Sequence, residues 1–398
     1  MTNHESLIDG YLSSPVADVG LDHSSGLRSL AWLGVPPPMK GAVWRLLCDL
    51  LPPTLSRREE EHGRRVLQYS DLVRRYGVVG SGEGADILRQ LALDLPRHKL
   101  LLYHLPECVK GLERVLFVWC LRHPAVGYVQ GMDDIAASFY CAFLAEAIDE
   151  ALADVEADDF GAVHLTTSGM VCEDADLPLQ QATITLAARA DGTKPLLERL
   201  LWTNGGPLTE GLLRRVEADT YWCAGKVLGW TQDHFVNGLE GVHSIGVRVA
   251  ALLESIDAEL ADHLIDSGVM VSQSTFQWHH CLLCRELPPA HALRLWDTYL
   301  SIGAGFTEFH IYVSLAIILH LRPMLMPPQV VMPTKKDAAN HPPTMRDAPP
   351  LDVMMDIFKG PCRVVGATSD PRVPVIPPVY WVDERISEAY ILQDRSTS

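Results

Sequence analysis

The segment from residue 252 to 264, LLESIDAELADHL, carries aliphatic side chains at Leu252, Leu253, Ile256, Leu260 and Leu264. These positions follow one another at helical intervals, mostly of three or four residues, and Asp and Glu side chains stand between them. An α-helix brings such positions onto one face, whereas a half-buried strand needs strict alternation. The segment therefore predicts amphipathic helix.

The same spacing recurs at Leu112, Val115, Leu116 and Trp119. Residues 311–319 form an apolar run typical of a buried helix, and residues 381–392, WVDERISEAYIL, return to helical spacing. The sequence contains no series of alternating segments joined by hairpin turns. We therefore expect an all-α fold.

The composition is that of an ordinary globular chain with an acidic balance. Of 398 residues, 47% are hydrophobic and 21% are charged, and the formal net charge is −17. A nucleic-acid-binding protein needs a basic face against the phosphates, so we expect no nucleic-acid partner. Nine scattered cysteines and the polar residues 1–20 favour a reducing, cytoplasmic location. The longest apolar runs are shorter than the ~20 residues that span a bilayer, so membrane contact should be peripheral or through a partner.

Two long stretches resemble insertions into a helical core. The first covers about residues 146–210, and its part from 146 to 176 carries ten acidic groups without Lys or Arg. The second covers about residues 322–378 and contains 13 of the 27 prolines. A segment so rich in proline cannot form one helix, and we expect it to be partly disordered.

No self-contained catalytic set is present in the sequence. The chain lacks a G-x-x-x-x-G-K-S/T phosphate loop, a G-x-S-x-G serine elbow and an H-E-x-x-H metal motif. Cys281 and Cys284 have the spacing of half a zinc site, but no second pair follows, so core cysteines one turn apart are the favoured interpretation. We expect no bound metal.

Two short polar islands remain. In the first, LALDLPR at residues 91–97, Pro96 biases Leu95 away from helical angles and can open a new helix. Arg97 would then project from a loop-to-helix junction, with Asp94 three residues earlier to orient its guanidinium. Taken alone, such an Asp–Arg pair is more often a surface pair of little energetic weight.

The second island is GYVQGM at residues 127–132. Gln130 has Gly131 beside it and Gly127 three residues before it, and glycine allows another backbone to approach closely. Taken alone, this segment is more often an interhelical turn.

Together, the two islands resemble the paired signature of the TBC domain, the Rab GTPase-activating domain. That family carries I-x-x-D-x-x-R followed some thirty residues later by Y-x-Q-G, and here Leu91, Asp94, Arg97, Tyr128, Gln130 and Gly131 stand at those positions. Further segments resemble other blocks of the family in the same order: residues 32–36, 43–47, 217–223, 276–278, 282–286, 294–299 and 381–390.

The resemblance implies a V-shaped, two-lobed helical TBC domain over residues 28–393. A lead-in at 1–27 and a tail at 394–398 would flank it, and the two insertions would lie within it. It implies a partner, a Rab-family small GTPase in its GTP-bound state, and a place in vesicle traffic, with Golgi or other endomembranes as the peripheral location. GTP and Mg²⁺ would be carried by the Rab, so the chain would need no cofactor of its own.

The resemblance also implies roles for the residues of both islands. Arg97 would neutralise charge developing on the transferring phosphoryl group, and Gln130 would position the attacking water. Asp94 would hold Arg97, while Tyr128 and Gly131 would shape the glutamine loop. Lys40 stands where the family usually has a supporting arginine, whose planar fork lysine cannot reproduce.

The remaining motif residues are interpreted as structural. We expect core anchors at Trp44, Trp222, Trp278 and Trp296 and buried ion pairs among Glu217, Asp219, Arg285 and Asp297. Two alternatives stay open. The chain could be a TBC-like scaffold that binds a Rab without accelerating hydrolysis, or a helical metal-dependent hydrolase.

Overall fold

Helices make up most of the residues that the computed structural model describes. These residues are 3–16, 26–76, 83–97, 105–153, 201, 205–236, 238–326, 351–359 and 380–397. Within these ranges the only β-type pairings are two isolated bridges, Val16 with Thr54 and Leu201 with Leu208. The prediction of an all-α fold is confirmed. None of the described helices is long and apolar enough to cross a bilayer.

In chain order the helices are α1 (Asn3–Ser13), α2 (Gly26–Trp32), α3 (Lys40–Leu47), α4 (Arg58–Tyr76), α5 (Glu83–Asp94), α6 (Pro106–Arg122), α7 (Met132–Ala153), α8 (Glu210–Trp230), α9 (Glu240–Ile256), α10 (Ala258–Asp266), α11 (Val271–Ser274), α12 (Phe276–His280), α13 (Pro289–Ile302), α14 (Phe306–Leu325), α15 (Leu351–Lys359) and α16 (Tyr380–Thr397). They form two compact units. The first contains residues 1–239 and 288–307, and the second contains residues 240–287 and 308–398.

The first unit is organised around α7. Every residue from Gly131 to Ala145 is buried, because α7 packs against α8, α6, α3 and α13. A helix that is apolar all round belongs in the interior of a bundle. Phe139 of α7 lies 5.2 Å from the ring of Trp44 and 5.5 Å from that of Trp296.

Two buried carboxylates of α8 tie the first unit together. Asp219 accepts a hydrogen bond from Nε of Arg45 at 2.8 Å and contacts His62 at 2.6 Å. Glu217 accepts from the Tyr69 hydroxyl at 3.0 Å and from Arg114 at 2.5 Å. The predicted buried ion pairs at these two carboxylates are therefore present.

In the second unit, the helical pattern of residues 252–264 spans two helices. Asp257 separates α9 from α10, with φ of −141°, and its carboxylate accepts from the Leu260 amide at 3.0 Å. Leu253, Leu260 and Leu264 are fully buried. The apolar spacing continues across the break, because a capping aspartate turns the chain without removing either apolar face.

Both predicted insertions overlap helices of the structure at their described residues. Residues 146–153 belong to α7, and Glu146 forms an ion pair with Arg45. In the second stretch, α14 continues to Leu325 and α15 forms a separate helix whose Phe358 is buried. The carbonyl of Phe358 accepts from the Trp278 indole at 2.8 Å. Residues 154–200, 327–350 and 360–379 lie outside the described residues.

Candidate functional site

The two polar islands meet through one side-chain contact. Asp94 is the last residue of α5, and its Oδ2 accepts a hydrogen bond from the Tyr128 hydroxyl at 3.3 Å. These residues are 34 positions apart, so the packing of α5 against α6 brings them together. The sequence resemblance paired the two motifs, and the fold supplies the physical contact between them.

Arg97 ends the 3₁₀ turn Leu95–Arg97, which follows α5 directly. Leu95 is buried and Pro96 is exposed. The expectation that Pro96 biases Leu95 away from helical angles is wrong, because Leu95 packs into the core and continues α5 as a tighter turn. The opening of a new helix at Pro96 stays a prediction, because residues 98–104 lie outside the described residues. The side chain of Arg97 lies outside the described part of the chain, so its contact with Asp94 stays a prediction.

Gln130 occupies the corner of a tight turn between α6 and α7. The Met132 amide donates to the Val129 carbonyl at 3.2 Å, which leaves Gln130 and Gly131 as the two central residues. Gly131 has φ of +103°, a value that suits glycine at the second central position of such a turn. Gln130 is exposed, whereas Tyr128 and Gly131 are buried. The turn thus exposes the amide side chain of Gln130, while the two buried residues anchor the turn.

Asp133, which the sequence did not single out, supports this turn from the first turn of α7. Its Oδ1 accepts the Gly131 amide hydrogen at 2.9 Å, and the side chain is fully buried. Burial, followed by the nearby carboxylates of Asp133 and Asp94, raises the pKa of Tyr128 above its usual range. The phenol therefore stays a hydrogen-bond donor at physiological pH.

The end of α6 fixes the other side of the loop. The His123 ring stacks on Trp119 at 4.1 Å, and its Nδ1 lies 2.7 Å from the Trp119 carbonyl. The His123 carbonyl accepts from the amides of Val126 and Gly127 at 2.9 Å each. The path of the chain from α6 to Tyr128 is therefore held by local contacts.

Comparison with known proteins places the chain in a family. A model of the Rab-GTPase-TBC domain matches residues 38–161 and 191–326, more than half of the chain. The chain belongs to the Rab-GTPase-TBC domain family. The predicted resemblance is thereby confirmed. The two matched segments leave out residues 162–190, inside the first predicted insertion, while the domain limits 28 and 393 stay predictions.

Individual relatives agree with this assignment. TBC1 domain family member 22A of Macaca fascicularis is 32% identical over 300 residues, which cover 74% of this chain and 50% of the relative. The GTPase-activating protein gyp1 of Schizosaccharomyces pombe is 32% identical over 314 residues, covering 77% and 51%. The chain spans about half the length of the curated relatives that it matches. The crystal structure of the Ypt/Rab-GAP domain of Gyp1p has the same fold, with a TM-score of 0.69 at 23% identity over 99% of this chain and 98% of that one.

Lys40 of this TBC domain lies in a buried ion pair. Its Nζ is 2.5 Å from Oδ2 of Asp297 and 5.8 Å from the ring of Trp44. Burial lowers the pKa of Lys40, against the opposing effect of Asp297. Among the described residues, this ion pair ties α3 to α13, and it does not involve Asp94 or Tyr128.

Two motif residues differ from their structural interpretation. Trp222 is only half-buried; its indole donates to the Arg65 carbonyl at 3.2 Å, and the Arg65 guanidinium lies 5.0 Å from the ring. Arg285 is exposed, whereas the sequence interpretation placed it in the interior. The buried Leu282 and Leu283, shortly before it, have φ of 51° and 64°. Trp44, Trp278 and Trp296 are fully buried.

The Cys281–Cys284 segment lies in the second unit. Cys281 is buried and Cys284 is half-buried, and both are free thiols. The neighbouring His279 contacts His310 at 3.1 Å and Thr275 at 3.0 Å. Across the described ranges, no group of three or more His, Cys, Asp or Glu side chains could hold a metal ion.

Proposed function

We propose that this chain accelerates GTP hydrolysis by a Rab-family small GTPase in its GTP-bound state. The observation that carries the proposal is the hydrogen bond between Tyr128 and Asp94, which joins the two signature motifs. Gln130 is exposed beside this contact. Membership of the Rab-GTPase-TBC family supports it, as does the name of the gyp1 relative, a GTPase-activating protein.

Arg97 is assigned the role of an arginine finger. Charge develops on the phosphoryl group as it transfers, and a guanidinium supplied in trans is worth roughly 10³–10⁵ in rate in small GTPases. The 3₁₀ turn Leu95–Arg97 follows α5 immediately, so the backbone of this residue is attached to a packed helix. Asp94, which accepts from Tyr128, lies one turn earlier and links this segment to the glutamine loop.

Gln130 is assigned the positioning of the attacking water. In Ras a glutamine of the GTPase does this; in the proposed reaction the TBC domain supplies it. The turn from Val129 to Met132 holds the Gln130 backbone, and the amide side chain then serves as donor and acceptor to one water. GTP and Mg²⁺ belong to the partner, so this chain contributes no cofactor and no nucleophile.

The cellular setting is proposed from the family. Rab proteins mark membranes, so the chain would act in vesicle traffic from the cytoplasm, at the surface of Golgi or other endomembranes. Attachment would come through the Rab or through peripheral contact. The formal net charge of −17 disfavours a direct electrostatic role for an anionic lipid surface or a nucleic acid.

The test is single-turnover GTP hydrolysis by a panel of Rab proteins with wild type, Arg97→Ala and Gln130→Ala. Arg89→Ala is the matched control, because Arg89 lies on α5 and only pairs with exposed Asp86. We expect at least one Rab to be accelerated by orders of magnitude, with each finger substitution removing most of the effect and Arg89→Ala removing none. Tight binding of a Rab without acceleration by wild type would identify a scaffold instead.

A further inference from the structure

Asp133 supports the glutamine loop from the start of α7. Its Oδ1 accepts the Gly131 amide hydrogen at 2.9 Å. The Tyr128 hydroxyl, two residues before Gln130, donates to Asp94. Gly131, the residue after Gln130, is therefore hydrogen-bonded to a side chain that is fully buried.

The contact with Gly131 fixes the orientation of a single peptide plane. The Gly131 amide belongs to the same peptide group as the Gln130 carbonyl, so the bond to Asp133 sets how the backbone leaves Gln130. Gly131 also adopts a positive φ, and the hydrogen bond to Asp133 helps to hold it in that conformation. Glycine has many accessible conformations, and one hydrogen bond selects among them.

Tyr128 links the glutamine loop to the arginine segment. Its phenol has one hydrogen, which it donates to Asp94 at the end of α5, next to Arg97. Because Asp133 holds the same loop through Gly131, a change at Asp133 would loosen the glutamine loop and weaken this link.

We propose that Asp133 is a positioning residue that preorganises Gln130 for water activation; this rests on the proposed function. Asp133 does not touch the partner, because it is buried and acts through Gly131. Preorganisation matters because a misplacement of about 1 Å can cost roughly 10²-fold in rate. The alternative is a purely structural role, in which Asp133 only supplies negative charge at the N-terminus of α7.

Two variants separate these roles. Asp133→Asn keeps an oxygen that accepts the Gly131 amide and removes the negative charge in the first turn of α7, so it is also the control for helix-terminal charge. Asp133→Ala removes both the charge and the acceptor. Circular dichroism melting of each variant identifies any that fail to fold.

The first readout is the Gly131 amide itself, which does not depend on any Rab. Gln130-Gly131 is the sole Gln-Gly pair in the sequence. Labelling glutamine with ¹³C at the carbonyl and glycine with ¹⁵N therefore gives one carbonyl-correlated amide signal. We expect its hydrogen exchange to be about tenfold or more faster in Asp133→Ala than in wild type, and closer to wild type in Asp133→Asn.

The second readout is single-turnover GTP hydrolysis by the most responsive Rab, titrated with each variant. We expect Asp133→Ala to lower the maximal rate by about ten- to a hundredfold with little change in the half-saturating concentration. Asp133→Asn should stay within about threefold of wild type.

Either an unchanged Gly131 amide in Asp133→Ala or an unchanged maximal rate would overturn the inference while leaving the proposed function intact. An equal loss in Asp133→Asn would assign the effect to helix charge and would also overturn it. If wild type accelerates no Rab, the proposed function itself fails, which the wild-type arm alone reveals.

Discussion

The buried ammonium of Lys40 donates to the carboxylate of Asp297 at 2.5 Å, across 257 positions of sequence. The same carboxylate accepts from the Val35 amide and from the Trp44 indole, each at 2.8 Å. One side chain of α13 thus receives three donors from the segment around α3. Asp297 is fully buried, so its charge depends on these partners.

Lys40→Met should destabilise the first unit, because it leaves the Asp297 carboxylate buried without its counter-charge. We expect the free energy of unfolding to fall by about 3–5 kcal/mol, measured by urea denaturation. Lys226→Met is the control, since Lys226 pairs with exposed Asp49, and it should change stability by less than about 1 kcal/mol. Equal effects of the two substitutions would contradict this assignment.

The free energy of unfolding should depend on pH through the carboxyl group of Asp219. Burial alone would raise the pKa of this carboxyl, but Arg45 and His62 outweigh it, and the net pKa is lowered. A carboxyl group whose pKa is lower in the folded than in the unfolded state stabilises the fold at pH values above its unfolded-state pKa of about 3.9. This stabilisation is lost as the pH falls through the folded-state pKa.

The stability difference between wild type and Asp219→Asn should therefore be largest near neutral pH and shrink below about pH 4. Urea denaturation at a series of pH values measures it. Asp71→Asn removes an exposed carboxylate of α4 and should show no such dependence. A stability difference that grows as the pH is lowered would contradict the assigned direction of the Asp219 pKa shift.

Two helical glycines should respond oppositely to alanine. A Cβ on Gly246 of α9 would lie 2.9 Å from the carbonyl oxygen of Ser272, whereas a Cβ on Gly229 of α8 meets nothing within 4 Å. Gly246→Ala should therefore lower the free energy of unfolding by about 1–3 kcal/mol. Gly229→Ala should raise it by up to about 1 kcal/mol, because alanine favours helix. Thermal melting of both variants measures these changes. Stabilisation by Gly246→Ala would contradict the close packing of Gly246 against Ser272.

Helix α15 should be an anchored part of the second unit, although it lies in a proline-rich stretch. Phe358 is buried and its ring lies 5.7 Å from that of Trp278. We expect Phe358→Ala to lower the free energy of unfolding by about 3–5 kcal/mol. Val353→Ala, on the 44% exposed side chain of the same helix, should cost less than about 0.5 kcal/mol. If both cost little, α15 does not contribute to the core.

The helical periodicity of the sequence was enough to predict the fold class but not every break. Asp257 looked like one more charged residue between apolar ones, and its capping role depends on a local backbone angle. Helix α15 was missed for another reason. The proline content was averaged over a long stretch, while Leu351–Lys359 has no proline and places Met354, Ile357 and Phe358 on one buried face.

Only those residues of the site that belong to the family motifs were predicted from the sequence. Asp94, Tyr128 and Gln130 were found through the family resemblance, because nothing local links positions 34 residues apart. Asp133 could not be found in this way. Its contact with Gly131 depends on the positive φ of that glycine and on the start of α7, both of which are properties of the folded turn.

The most direct test of the central claim asks which protein supplies the catalytic glutamine. Single-turnover hydrolysis is measured for a responsive Rab and for the same Rab with its own catalytic glutamine changed to alanine, each with wild-type chain and with Gln130→Ala. The account predicts that wild type still accelerates the altered Rab by orders of magnitude and that Gln130→Ala accelerates neither. Loss of acceleration in the altered Rab, together with full activity of Gln130→Ala on the unaltered one, would contradict it.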